Sequence, residues 1–149
     1  MIDVVLLGHG RFGEALLNAI MATPEIAILA VVGRDSATES DFARMGTSSG
    51  APFLSPACIN DPDAVAAIRE LQPDLLVSAS YDQILKRPML GVPKLAAINL
   101  HAGDLPRYRG RNVVNWAIIN DEDHIGITVH HMDEGIDTGD VIAKTFVPI

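Results

Sequence analysis

Short apolar runs alternate with amphipathic stretches along most of the chain. Residues 4–8, 26–32 and 75–79 are nearly continuous apolar runs, the pattern of strands buried on both faces. Residues 12–21 repeat apolar side chains at helical spacing, with Phe12, Leu16 and Ile20 on one side. Thr23-Pro24 ends that helix. Residues 36–45 predict a short helix and 52–54 a minimal strand. Asn60-Asp61-Pro62 sets an acceptor side chain ahead of a proline, which predicts a helix running on through residue 71. Residues 83–89 read as a turn or short helix and 95–100 as a strand. Residues 112–120 read as a helix with Trp116 in the core, and 126–132 and 140–147 as two more strands. In the last, Val141, Ala143, Thr145 and Val147 alternate with Ile142, Lys144 and Phe146, which suits a half-exposed edge strand. Repeated strand-helix-strand units predict an α/β fold with a doubly wound, mainly parallel sheet.

Composition narrows the class. At 149 residues, 48% hydrophobic and 20% charged, the chain is one folded domain in size and character. Its longest apolar run, residues 26–32, falls far short of the roughly 20 residues of a membrane span. The N-terminal segment has no basic region and carries an acid at position 3, so it reads as a strand and not as a signal peptide. Cys58 is the sole cysteine, which excludes an internal disulfide and fits a cytoplasmic protein. A net charge of −8 opposes general nucleic-acid binding. The charge is uneven: residues 101–120 carry three arginines against one aspartate, while residues 121–140 carry seven carboxylates and no lysine or arginine. That juxtaposition suits a site that uses both signs, or two solvated loops.

Two segments carry candidate chemistry. Gly8-His9-Gly10-Arg11-Phe12-Gly13 fits G-x-G-x-x-G between a strand and a helix. Three readings stand open: a dinucleotide site with Arg34 on a 2′-phosphate and Asp35 near the second strand, a phosphate cradle for another ligand, or a tight turn only. Asn99 and His101 lie two apart at the C-terminal end of a strand, so both point to one face. Open α/β sheets bind ligands at that end. An amide and an imidazole side by side there can stabilise an oxyanion and move a proton. His130 and His131 do not predict a metal site, because adjacent strand residues point to opposite faces.

From Asn99-Leu100-His101 the chain continues through Leu105-Pro106-Arg107-Tyr108-Arg109-Gly110 to the segment 126–140, which reads G-x-T-x-H-x-M-D-E-x-x-D-T-G-D. Together with Ser80-Tyr81-Asp82-Gln83-Ile84-Leu85, these segments resemble the formyltransferase domain that uses 10-formyltetrahydrofolate. That family includes methionyl-tRNA, glycinamide ribonucleotide and sugar N-formyltransferases. The resemblance covers most of the chain. It implies a Rossmann-like formyltransferase fold with an antiparallel edge near the C-terminus, and residues 1–149 as a catalytic domain that is either a compact variant or shortened at its C-terminus.

The resemblance also implies a catalytic triad of Asn99, His101 and Asp137. It implies a folate pocket formed by Gln83, Ile84 and Leu85 with the loop containing Asp133, Glu134 and Gly135. The glycine turn, with Gly8 and Gly10, would then face the acceptor; by their charge, Arg11, Arg107, Arg109 and Arg111 are candidates for meeting its phosphates or the folate's glutamate tail. Asn99 and protonated His101 would stabilise the oxyanion, and Asp137 would orient His101 and help move a proton. Gly135 and Gly139 would give the loop freedom to place Asp137.

Where tRNA-type members read H-P-S-L-L-P, this chain reads His101-Ala102-Gly103-Asp104-Leu105-Pro106. Residues 111–116 look more like sugar-modifying members. The expected acceptor is therefore a small, phosphate-bearing amine such as a nucleotide-linked amino sugar. The alternatives are a methionyl-tRNA formyltransferase-like acceptor, hydrolysis of formyltetrahydrofolate, an NADP-binding reductase domain resting on the glycine turn, and a non-catalytic folate-binding module.

Overall fold

The computed structural model describes residues 1–34 and 41–149. Seven strands form one sheet in the order β3-β2-β1-β4-β5-β6-β7. They are β1 (Ile2–Gly8), β2 (Ile26–Val32), β3 (Phe53–Leu54), β4 (Leu75–Ala79), β5 (Ala96–His101), β6 (His124–His131) and β7 (Val141–Pro148). The helices are α1 (Gly10–Met21), α2 (Asp41–Ser48), α3 (Pro62–Glu70), α4 (Arg87–Leu90) and α5 (Val113–Ile119). Strands β3 to β5 pair in parallel, while β5–β6 and β6–β7 are antiparallel. The expected doubly wound sheet with an antiparallel edge is what the chain forms.

Period-2 alternation divides β1 between two cores. Val5 and Leu7 join Val32, Val65, Ile68, Leu76 and Met89 on one face. Val4 and Leu6 join Leu17, Ile20, Val31, Phe42 and Val77 on the other. So α3 and α4 cover one face and α1 and α2 the other. A strand covered on both sides has no polar face to show, which is why its run is unbroken. The chain winds from β1 out to β3, then returns to β4 on β1's other side. That reversal opens a crevice at the C-terminal ends of β1 and β4.

Several expectations shift. The helix after β1 is buried through Gly13, Leu17 and Ile20, with Phe12 and Leu16 only half-buried. The short helix expected over 36–45 lies partly outside the described residues; the described helix is α2. The turn or helix over 83–89 contracts to α4. Asn60 does not cap α3. Its amide nitrogen donates to the Ile84 carbonyl at 2.8 Å and its oxygen accepts from the Lys86 N–H at 2.7 Å.

Trp116 is not a core residue: it is 55% exposed, because α5 buries only Val113 and Ala117. Strand β7 lies at the sheet edge as expected, but every residue along it is exposed on either face. Its period-2 pattern marks a strand with no layer packed over it among the described residues.

Candidate active site

A cleft of about 910 Å³ opens at the C-terminal ends of the parallel strands. That is the upper end of small-ligand pockets. His9 and Phe12 line it after β1, Arg34 after β2, Ser80–Leu85 after β4 and Asn99–Ala102 from β5. From the antiparallel side come His130, Met132, Asp133, Gly135, Ile136 and Asp137.

Four polar side chains converge at one end. Asn99 and His101 stand on one face of β5, as their spacing requires. In the antiparallel register Asn99 faces His130 directly and His101 faces Thr128. Asn99 Nδ2 is 3.2 Å from His130 Nε2 and 3.5 Å from Asp137 Oδ1. His130 Nδ1 donates to its neighbour His131's carbonyl at 2.8 Å. Asp137 lies between two imidazoles, with Oδ2 3.5 Å from His101 Nδ1 and Oδ1 3.4 Å from His130 Nε2. It also accepts the Gly110 N–H at 2.9 Å. A register shift between β6 and β7 at Val129/His130 sits beside this cluster, where bulges commonly re-aim a side chain.

The loop after β6 is folded by its own hydrogen bonds. Asp133 Oδ1 accepts from the Gly135 N–H at 3.0 Å and from the Thr138 hydroxyl at 2.5 Å. Asp137 itself takes a left-handed backbone, φ 53°. Such a conformation at a non-glycine residue persists only when its surroundings over-determine it. Gly135 and Gly139 serve the loop differently from the expectation. Neither has a left-handed φ. Instead a Cβ at Gly135 would stand 2.1 Å from Thr138 Oγ1, and one at Gly139 1.9 Å from the His131 carbonyl. They provide room, and Asp137 bears the backbone strain.

The electrostatics favour a charged Asp137. Its burial pushes the carboxyl up, but His130, the Gly110 N–H and the His101 charge together hold it below the ordinary 3.8. Burial pulls His130 down, and Asp137 with the His131 carbonyl outweighs that, raising it above the usual 6.5. Tyr81 lines the same cleft with a buried hydroxyl that has no partner among the described residues. Burial and the nearby Asp82 push its phenol up to about 12, so it remains a neutral donor. This constellation can place donors on a developing oxyanion and a carboxylate beside a proton-carrying imidazole.

The other sequence candidates divide. Ile84, Leu85, Asp133 and Gly135 line the cleft. Gln83 does too, but its amide is spent on the segment before α3, accepting from Ile59 N–H at 2.8 Å and donating to the Pro56 carbonyl at 3.2 Å. Glu134 turns away to Arg87 at 3.2 Å. Gly8, Gly10, Arg11 and Arg109 do not line the cleft; the glycine turn contributes His9 and Phe12 instead.

A Cβ at Gly8 would lie 2.8 Å from the Ala79 carbonyl and one at Gly13 3.1 Å from Phe42, while Gly10 has φ +63°. Close packing and turn geometry therefore account for all three glycines. Of the dinucleotide reading, Arg34 is ion-paired with Asp82, and Asp35 lies outside the described residues. No cluster with metal-ligand chemistry occurs among the described residues, and no helix there is long and apolar enough to cross a membrane.

His130 is the residue the sequence reading missed. It stands within the motif of residues 126–140, where the sequence suggests only a metal ligand and the alternation along the strand argues against one. The available signal was parity: Thr128 and His130 share a face of their strand, and an antiparallel partner brings that face to Asn99.

Comparison with known proteins gives this geometry a context. The formyl transferase family profile matches residues 4–149. A methionyl-tRNA formyltransferase from Citrifermentans bemidjiense is 46% identical over 98% of this chain and 48% of its own length. One from Geobacter metallireducens is 47% identical over 67% of this chain and 32% of its own. The chain thus spans about half or less of the length of these relatives.

Among solved structures, a phosphoribosylglycinamide formyltransferase from Bacillus halodurans superposes with a TM-score of 0.84 at 23% identity, covering 99% of this chain and 80% of that one. A sugar N-formyltransferase from Shewanella superposes with a TM-score of 0.74 at 25% identity, covering 100% of this chain and 58% of that one. A profile match over nearly the full length, joined to a relative 46% identical across it, decides the matter: this chain belongs to the formyl transferase family.

Proposed function

We propose that this chain is the catalytic part of an enzyme that moves a formyl group from 10-formyltetrahydrofolate to a primary amine, with methionyl-tRNA as the acceptor. The observation that carries the reading is the meeting of Asn99, His101 and Asp137 at one end of the cleft, in a chain of this family. The acceptor follows the names of the relatives at 46–47% identity, and here the reading departs from the amino-sugar expectation.

The cleft suits the donor chemically. Ile84, Met132 and Ile136 offer apolar surface to a flat bicyclic ring, with Leu85 packed in the core beneath, and the Tyr81 hydroxyl offers an unspent donor. In the reaction the neutral amine attacks the formyl carbon, and charge gathers on the formyl oxygen. Asn99 Nδ2–H and the His101 imidazolium donate to that oxygen. Asp137 favours the charged imidazole and accepts the amine proton, directly or through water. The proton then passes to the folate nitrogen as its bond to the formyl carbon breaks, giving the formamide and tetrahydrofolate. One donor to such an oxyanion lowers the barrier by about 2.7–4 kcal/mol.

A second reading keeps a nucleotide-linked amino sugar as acceptor. Residues 111–116, the net charge of −8 and the likeness to a sugar N-formyltransferase support it. Tetrahydrofolate release, followed with charged initiator tRNA and with a nucleotide-linked amino sugar in parallel and with His101→Ala as control, separates the two. Turnover only with the amino sugar overturns the tRNA reading. Formate release without any amine identifies a hydrolase. No turnover with any acceptor, from folded protein that binds the donor, removes formyl transfer.

A further inference from the structure

A second network lies behind the four converging side chains, on the side of the 101–110 loop that faces α5 and β6. His101 Nε2 donates to the main-chain carbonyl of Tyr108 at 2.6 Å. A Cβ on Gly103 would stand 2.5 Å from both of those atoms, so the two meet only because position 103 carries no side chain. The carbonyl is held from both ends. The Tyr108 phenol donates to Glu122 Oε1 at 2.7 Å and accepts from Asn120 Nδ2 at 3.0 Å.

Arg107 reaches the same Glu122 oxygen at 2.5 Å and lies over the Tyr108 ring, 5.0 Å from its centre. The Tyr108 N–H closes a turn onto the Asp104 carbonyl at 2.9 Å. Thr128 then ties the start of the loop to β6, donating to the Gly103 carbonyl at 2.7 Å and accepting from the Leu105 N–H at 3.3 Å. No part of this network lines the cleft except His101 itself.

A neutral imidazole carries one N–H, and a carbonyl can only accept. The partner of one ring nitrogen therefore dictates the state of the other. We propose that Tyr108 is a positioning residue: its anchored carbonyl engages the Nε2–H of His101 and keeps the neutral ring's proton there, so that Nδ1, the nitrogen facing Asp137, is the one that carries the imidazolium's second proton. The step this serves rests on the formyl-transfer reading; the tautomer itself does not.

Long-range 1H–15N correlation spectra of the intact chain, titrated to the alkaline plateau and assigned with His101→Ala, read the tautomer without turnover. The wild-type protein is expected to show the His101 proton on Nε2. Tyr108→Phe keeps the ring and loses the phenol, and it should mix in the Nδ1–H form. Its kcat should fall roughly tenfold, with KM for the folate donor within about twofold. Glu122→Gln alone, in the chain that keeps Tyr108, still offers the phenol an acceptor and should retain most of the Nε2–H form. A wild-type spectrum with the proton on Nδ1 overturns the proposal, whether or not any variant folds. So does a folded Tyr108→Phe with an unchanged tautomer and kcat. A shifted tautomer in a protein that transfers no formyl group to any acceptor leaves the positioning role standing and removes the formyl-transfer reading.

Discussion

The glycine turn after β1 and the loop after β6 are both tight, but different things hold them. The turn is pressed from behind: Gly8 has the Ala79 carbonyl against it and Gly13 has Phe42. The loop is held from within, by Asp133 on Gly135 and Thr138, and by Asp137 on Gly110 and two histidines. Glycines crowded by core atoms mark where the fold needs space. A half-buried carboxylate with a left-handed backbone, set between two imidazoles and a main-chain N–H, marks a candidate for chemistry. On the proposed function the more familiar motif serves packing, and the candidate chemistry sits on the antiparallel side.

Substitutions test that contrast. Asp137→Asn should have the largest effect, a fall in kcat of roughly a thousandfold or more, because an amide turns a donor toward an imidazole that needs an acceptor. Asn99→Ala should follow at about a hundred- to a thousandfold, read in kcat with little change in donor KM. His130→Ala removes a partner of both Asn99 and Asp137 and should cost about ten- to a hundredfold. Gly8→Ala should leave kcat per folded molecule within about twofold, while lowering stability in urea by about 1–3 kcal/mol. If Gly8→Ala instead abolished turnover in a stable protein, the contrast would break.

The pH dependence of stability sharpens the same comparison. Asp137 is held below its ordinary value, so its contribution is full above about pH 4 and is lost as pH falls through the folded value. His130 is raised, so its contribution is full below about pH 6.5 and is lost as pH rises through the folded value. Urea midpoints across that range should therefore fall at both ends. Asp137→Asn should flatten both limbs at once, since Asp137 is also what raises His130. Asp74 and Asp133, likewise held low, keep part of the acid limb. Arg11→Ala, at an exposed position outside the cleft, should change neither turnover nor midpoint by a measurable amount.

Much of this was legible in the sequence. Residues 26–32 and 75–79 form β2 and β4 at the bounds expected, because strands buried on both faces leave no ambiguity of pattern. The shared face of Asn99 and His101 follows from a period of two alone. What spacing cannot carry is the pairing of distant strands. The register of β5 on β6 sets His130 beside Asn99; parity along the strand gives the face His130 takes, but not the residue it meets. Trp116 and β7 misled for a related reason. A hydrophobic side chain announces a preference for burial, but burial needs a partner layer, and over α5's outer face and β7 the described residues provide none.

The contact between Lys144 and Asp104 bears on how the family's sequences can drift. Lys144, on the outermost strand, reaches across to the Asp104 carboxylate at 2.5 Å and to the Leu105 carbonyl. Both side chains are less than a third exposed. The acid and its counter-charge stand forty positions apart in the chain and meet between the loop after β5 and the edge strand. A lineage that loses either one alone leaves a lone charge under the loop that carries His101. The two positions are therefore physically coupled, and across relatives they should change together or not at all.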